Sequence, residues 1–125
     1  LPCLQRLKQQ GYWLAVATGK GRSGLDRSIE QTGTQAFWLE TACASEYPSK
    51  PAPDMVLALC DRLGVEPEEA VVVGDTTHDL EMAANAKIRA IAVTTGAHTA
   101  KQLSALPHIA MLNSLAELPD VLETL

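Results

Sequence analysis

Asp75 and Asp79 are the residues of this chain best placed to do chemistry. They stand in the run Ala70-Val71-Val72-Val73-Gly74-Asp75-Thr76-Thr77-His78-Asp79. Ala70 to Val73 are continuously apolar and mostly β-branched, the pattern of a parallel strand covered on both faces. Gly74 lets the backbone turn out at the carboxyl end of that strand and puts Asp75 on the turn. Thr76 or Thr77 can cap a helix that begins near His78, with Asp79 in its first turn. Two short carboxylates so placed can share one hard, oxygen-loving ion, and magnesium suits them. The plainer use of the same residues is to cap a helix and complement its dipole.

A second and a third loop add groups of complementary character. Thr18-Gly19 follows the apolar stretch Tyr12 to Ala17, and its hydroxyl and exposed amides can donate to phosphoryl oxygens. Lys50 can neutralise phosphate charge. Pro51 pushes Lys50 out of the helical region, so Ser49-Lys50-Pro51 presents the ammonium stiffly. Each loop has a bland alternative: Thr18 can simply satisfy a turn, and Lys50 can be a solvated lysine. Taken together, Thr18, Gly19, Lys50, Asp75 and Asp79 suit a phosphate held against a metal ion.

The elements that must position these loops follow from periodicity and punctuation. Leu4 and Leu7 predict a helix over residues 1–10, ended by Gly11. Tyr12 to Ala17 reads as a strand, Arg22 to Gln31 as a helix ended by Gly33, and Phe37 to Glu40 as a short strand. Ala44 to Pro53 is a proline-punctuated loop. Met55, Val56, Leu59 and Leu63 mark the buried stripe of a helix that Gly64 ends, and Glu66 to Glu69 is a solvated connection. After the strand at Val71 come a helix over His78 to Asn85, a strand over Ile88 to Val93, and a short helix over Thr99 to Ala105. A strand over Ile109 to Leu112 and a helix over Leu115 to Leu125 complete the chain. Strands alternating with helices predict an α/β fold, a three-layer, Rossmann-like parallel sheet with helices on both faces. Trp13 and Trp38 are expected in the core.

At 125 residues and 46% hydrophobic, residues 1–125 form one domain. The formal charge of −5 and the lack of a basic patch argue against nucleic acid. Cys3, Cys43 and Cys60 are odd in number and widely spaced, which fits a reducing cytoplasm rather than a disulfide framework or zinc site. No apolar stretch approaches the ~20 residues of a membrane span, and no signal-peptide pattern opens the chain. The first residue is Leu rather than Met, which suggests a piece of a longer product.

At these residues the chain resembles the haloacid dehalogenase superfamily, in particular its phosphoglycolate-phosphatase-like branch. Leu14-Ala15-Val16-Ala17-Thr18-Gly19-Lys20 is similar to the second motif, Ser49-Lys50-Pro51-Ala52-Pro53 to the third, and Val73-Gly74-Asp75-Thr76-Thr77-His78-Asp79 to the fourth. The resemblance covers Leu4 to about Leu118. It implies that Thr18 and Gly19 bind phosphate, and that Lys50 binds phosphate and steadies the nucleophile. It implies that Asp75 binds magnesium directly, and that Asp79 binds it or orients a metal water. His78 falls at a variable position of that pattern. His98 lies in a strand-end loop facing the same mouth, where a minor substrate contact is open, and His108 is a loop residue.

The superfamily's first motif, Asp-x-Asp on the central strand, has no counterpart here, since no acid precedes Thr18. The nucleophile and the acid/base are therefore missing, as is the cap that selects substrates. In the superfamily the missing strand runs between the strand at Tyr12 to Ala17 and the strand at Val71 to Gly74. Its loss leaves two apolar edges that would aggregate, pair with each other or accept a strand from another chain. The expectation is a proteolytic or expression fragment, or a chain whose central strand comes from elsewhere, such as a preceding segment of the same protein. The implied function is magnesium-dependent hydrolysis of a small phosphorylated metabolite through a phospho-aspartate, with this chain inactive by itself. A mutase or dehalogenase of the same superfamily stays open.

Two rivals come from other classes. Gly19-Lys20-Gly21-Arg22-Ser23-Gly24 fits G-x-G-x-x-G after a strand and before a helix, with Glu40 ending the next strand, as in a dinucleotide-binding domain. A non-catalytic module that keeps the phosphate mouth but only binds is the other. A nucleotide-hydrolysing P-loop is excluded, because Gly21 follows Lys20 where Ser or Thr is required.

Overall fold

The computed structural model describes residues 2–18, 20–43, 46–48, 50, 52–94, 100–104 and 106–123. In chain order the elements are α1 (Pro2–Gln9), β1 (Leu14–Thr18), α2 (Arg22–Thr32), β2 (Trp38–Cys43), α3 (Asp54–Leu63), β3 (Val71–Gly74), α4 (Thr77–Ala86), β4 (Arg89–Val93), α5 (Ala100–Ser104), β5 (Ala110–Leu112) and α6 (Leu118–Glu123). Short 3₁₀ turns at Gln35–Phe37, Pro67–Glu69 and Leu115–Glu117 lead into β2, β3 and α6. The alternation of strands and helices is the one the sequence predicts, with every strand pair parallel.

The strands form two sheets. β1 pairs with β2, and β3-β4-β5 forms the other, with no ladder between β1 and β3 among the described residues. The two edges that were expected to flank a missing strand are thus left open and apart. Helices bridge the sheets: α3 packs on β2 and β1, α4 packs on β3 and β4, and α3 touches α4. Met55, Val56, Leu59 and Cys60 of α3 meet Met82 and Ala86 of α4 in one buried cluster. A second bridge is built by α1, which contacts α6 and the 3₁₀ turns before β2 and α6. There Leu7 packs with Ile91, Leu112 and Leu118, and Lys8 donates to the Ala36 carbonyl at 3.0 Å. The period-2 alternation of β4 feeds both layers, since Ile91 faces this second cluster while Ala90 and Ala92 pack with Leu80 and Leu103.

Several boundaries shift from their expected places. β1 starts at Leu14, and Trp13 is 62% exposed instead of lying in the core, because it precedes the strand at the entrance of the gap between the sheets. Phe37 sits in a 3₁₀ turn, which delays β2 to Trp38; the Trp38 indole N–H donates to Thr34 Oγ1 at 3.0 Å. β3 is not covered throughout, for Val73 is 37% exposed on the open edge, whereas Ile91 at the centre of the same sheet is fully buried. The helix ends are better read from sequence: Gly33 and Gly64 adopt left-handed φ of 66° and 69° and close α2 and α3.

α4 ends without a glycine. Lys87 takes the left-handed conformation at φ 59° to cap it, and its side chain is exposed. For an L side chain that conformation costs about 1–2 kcal/mol, part of which glycine's greater unfolded-state freedom would offset. Lys87→Gly is therefore expected to raise the unfolding free energy by about 0.5–1 kcal/mol. Urea denaturation measures it, and an unchanged or lowered midpoint would contradict the account of this cap.

Candidate active site

The carboxyl ends of the strands converge on one cavity. Ala17 at the end of β1, Val73 and Gly74 of β3 and Val93 of β4 line a space of about 260 Å³ together with Lys50, Asp75 and Asp79. Both sheets therefore point their strands the same way, and the cavity occupies the crevice where open α/β sheets take ligands. Three of the five expected site residues are brought together here. Thr18 lies one residue beyond Ala17 at the end of β1, and Gly19 lies outside the described residues, as does His98.

Local folding places each group. Thr18 Oγ1 accepts the Lys20 backbone N–H at 3.2 Å, so the hydroxyl does satisfy a turn. That bond fixes the oxygen and leaves its proton free to be donated. The loop before Lys50 is pinned to β2 and its neighbours. Glu46 and Tyr47 donate their N–H groups to the Cys43 carbonyl, and Arg22 reaches Glu46 at 2.7 Å and Thr41 Oγ1 at 2.8 Å. The Arg22 hydrogen bond holds the Glu46 carboxyl below its ordinary value. On the other side Arg62 donates to the Tyr47 hydroxyl and lies 5.5 Å from the ring centre.

Asp79 is the buried centre of the arrangement, 7% exposed. Thr76 caps α4, as one of two expected alternatives: its hydroxyl accepts the Asp79 N–H at 3.2 Å, and Asp79 Oδ2 lies 2.9 Å from the same hydroxyl and 3.3 Å from the Thr76 N–H. The other carboxylate oxygen, Oδ1, accepts from the Lys50 ammonium, 29 positions away in sequence. Sequence reasoning found all three residues but not this ion pair, because nothing local links the loop at Lys50 to the helix at Asp79.

Gly74 serves a purpose other than the expected one. Its φ is not positive, and it closes β3 instead of forming a turn. A Cβ there would fall 2.2 Å from Asp79 Cβ and 2.8 Å from Asp79 Oδ2, so glycine is required by close approach. In contrast, a Cβ at Gly21 would meet nothing within 4 Å and one at Gly24 only Lys20 Cβ at 3.8 Å. The two described glycines of the G-x-G-x-x-G run thus guard no tight backbone approach, which weakens the dinucleotide reading.

For a metal ion the fit is partial. Asp75 is half-buried in the cavity, and its carboxylate has no hydrogen bond or ion pair among the described residues. Asp79 already serves Lys50 and Thr76. Among the described residues no group of three or more His, Cys, Asp or Glu side chains could hold a metal. Magnesium uses few protein carboxylates alongside waters and phosphate oxygens, so Asp75 fits as one ligand of a set completed elsewhere.

Comparison with known proteins places this geometry. The family model for haloacid dehalogenase-like hydrolases matches residues 2–93. The chain belongs to that family. It is 39% identical over 115 residues to the probable phosphatase IndB of Dickeya dadantii, covering 91% of this chain and 50% of the relative. It is 29% identical over 119 residues to a phosphoglycolate phosphatase of Vibrio vulnificus, covering 94% and 52%. A crystal structure of a haloacid dehalogenase-like hydrolase from Bacteroides fragilis superposes with a TM-score of 0.89 at 29% identity, covering 94% of this chain and 57% of that one. The chain spans about half the length of the curated relatives it matches.

Lys50, Asp75 and Asp79 of this haloacid dehalogenase-like chain line one cavity with the ends of β1, β3 and β4, and Gly74 is the position that Asp79 approaches closely there. Gly74→Ala is expected to lower stability by about 1–3 kcal/mol through overpacking against Asp79. Thermal and urea melts test this; a variant as stable as the parent would refute the close-approach requirement.

Proposed function

We propose that the protein is a magnesium-dependent phosphomonoester hydrolase of the cytoplasm, acting on a small phosphorylated metabolite through a phospho-aspartate. The observation that carries the reading is the shared cavity of Lys50, Asp75 and Asp79 at the strand ends, in a chain of this family. Thr18 and the Gly19 amide bind phosphoryl oxygens, and Lys50 offsets their charge as it builds up during transfer. Asp75 holds magnesium, which when bound stabilises the transferring group as a Lewis acid. Asp79 stands beside Asp75 and would bind the ion or orient a water on it.

The nucleophile and the acid/base belong to a strand that this chain does not contain, and a groove suits such a strand. Between β1 and β3 lies a space of about 520 Å³, bordered by Leu14, Ala15 and Ala17 on one edge and Val71, Val72 and Val73 on the other. Residues of α3 and α4 close it on one side, and Leu7, Leu118 and Leu122 on the other. A strand lying parallel to both edges would pair their free N–H and C=O groups, join the sheets and deliver its carboxyl end to the cavity. A preceding segment of the same protein is the proposed source.

The test uses the full-length protein on a panel of phosphomonoesters and pyrophosphate. Turnover is expected with magnesium and is lost on chelation, with Lys50→Ala lowering kcat/KM by about 10²–10³. The isolated chain is expected to be inactive, and its β1 and β3 amides to exchange hydrogen faster than in the full-length protein. The second reading is a binding module that keeps the phosphate cavity of Lys50 and Asp75 and only binds. Magnesium-dependent phosphate binding without turnover in the full-length protein would establish it and overturn the hydrolase reading.

A further inference from the structure

The geometry around Asp79 points to a role for Thr76 beyond capping the start of α4. Both Asp79 carboxylate oxygens are engaged: Oδ1 by the Lys50 ammonium, and Oδ2 by the Thr76 hydroxyl at 2.9 Å and the Thr76 N–H at 3.3 Å. Gly74 lies close against the carboxylate on the β3 side and leaves it no room to move that way. Its remaining freedom is rotation about the Cβ–Cγ bond, and the two donors of Thr76 set that angle. With Oδ2 held, Oδ1 is the oxygen presented to Lys50, whose side chain is only 19% exposed where it enters the cavity.

We propose that Thr76 is a positioning residue, acting through Asp79 to hold the Lys50 ammonium at the place where it meets phosphate. The inference rests on the reading of Lys50 as a phosphate-binding group. Removing the Thr76 hydroxyl leaves Oδ2 of the buried Asp79 short of its better donor. The carboxylate then rotates to draw the ammonium onto both of its oxygens, and Lys50 withdraws from the cavity. Serine retains the donor and the acceptor; valine keeps the shape and loses both.

A double-mutant cycle separates this role from helix capping. The dissociation constant of orthophosphate is measured by titration calorimetry, with magnesium present, on the full-length protein and its Thr76→Val, Thr76→Ser, Lys50→Ala and Thr76→Val/Lys50→Ala variants. Thr76→Ala takes the place of the valine variant if thermal melts show that the latter is unfolded. Thr76→Val is expected to weaken binding about 10-fold, the size of one charge-assisted hydrogen bond's effect, and Thr76→Ser by about 2-fold or less. In the Lys50→Ala background the valine substitution is expected to change binding less than about 2-fold, because the group it positions is gone. An equal loss in both backgrounds would overturn the proposal in favour of capping alone. Parent-like binding by Thr76→Val alongside weakened binding by Lys50→Ala would overturn it and leave the phosphate reading intact. Parent-like binding by Lys50→Ala would overturn that underlying reading as well.

Discussion

Two parallel sheets that share no strand ladder among the described residues are bridged by packed helices, and the arrangement depends on that packing. Strand edges normally carry a sheet across its width by hydrogen bonds. Here the connection is made above and below the gap, by α3 against α4 on one face and by α1 against α6 on the other. Side chains such as Met55, Met82, Leu7 and Leu118, nearly all removed from water, supply the apolar burial that holds the sheets co-oriented. The consequence is a slot bordered by two sets of unpaired backbone groups, with its upper end opening at the cavity that holds Lys50, Asp75 and Asp79.

The same packing sets the geometry of the cavity. α4 begins directly on the end of β3, and the glycine at position 74 allows the Asp79 carboxylate to settle over the backbone there. Thr76 and Lys50 take its two oxygens, while the loop that carries Lys50 is tied back by Arg22 on one side and Arg62 on the other. A charged group as buried as Asp79 is stable only when paired and hydrogen-bonded, which this network accomplishes. Asp75, one turn earlier, is left with its carboxylate open to the cavity. The two acids, alike in sequence, thus do different work: one organises the site and the other is available to it.

Much of this was legible in the chain because it is written in local terms. The β-branched run at Val71, the glycines at 33 and 64, and the Thr-x-x-Asp pattern at Thr76 each depend on backbone conformation over a few residues, so element type and helix ends could be read directly. The motif residues Thr18, Lys50, Asp75 and Asp79 were legible for the same reason, since each is marked by a strand before it or a proline or helix after it. The absence of an acidic strand before Thr18 was equally a property of the letters, and with it the expectation of two exposed apolar edges, whereas their separation was decided by the fold.

What the tertiary structure decided is everything that depends on distance across the chain. The Lys50–Asp79 ion pair joins residues 29 positions apart, and no local rule specifies it. The close approach that requires Gly74 arises only once α4 is docked on β3, so the residue reads as a turn in sequence and as a spacing constraint in the fold. Trp13 reads as core from its composition, yet it precedes β1 at the entrance of the gap between the sheets and stays 62% exposed there. Local sequence determined which segments are strands and helices and which residues carry charge or hydroxyl groups. Packing alone determined which of those groups meet, because non-local contacts are chosen by the fit of whole elements and not by the residues beside them.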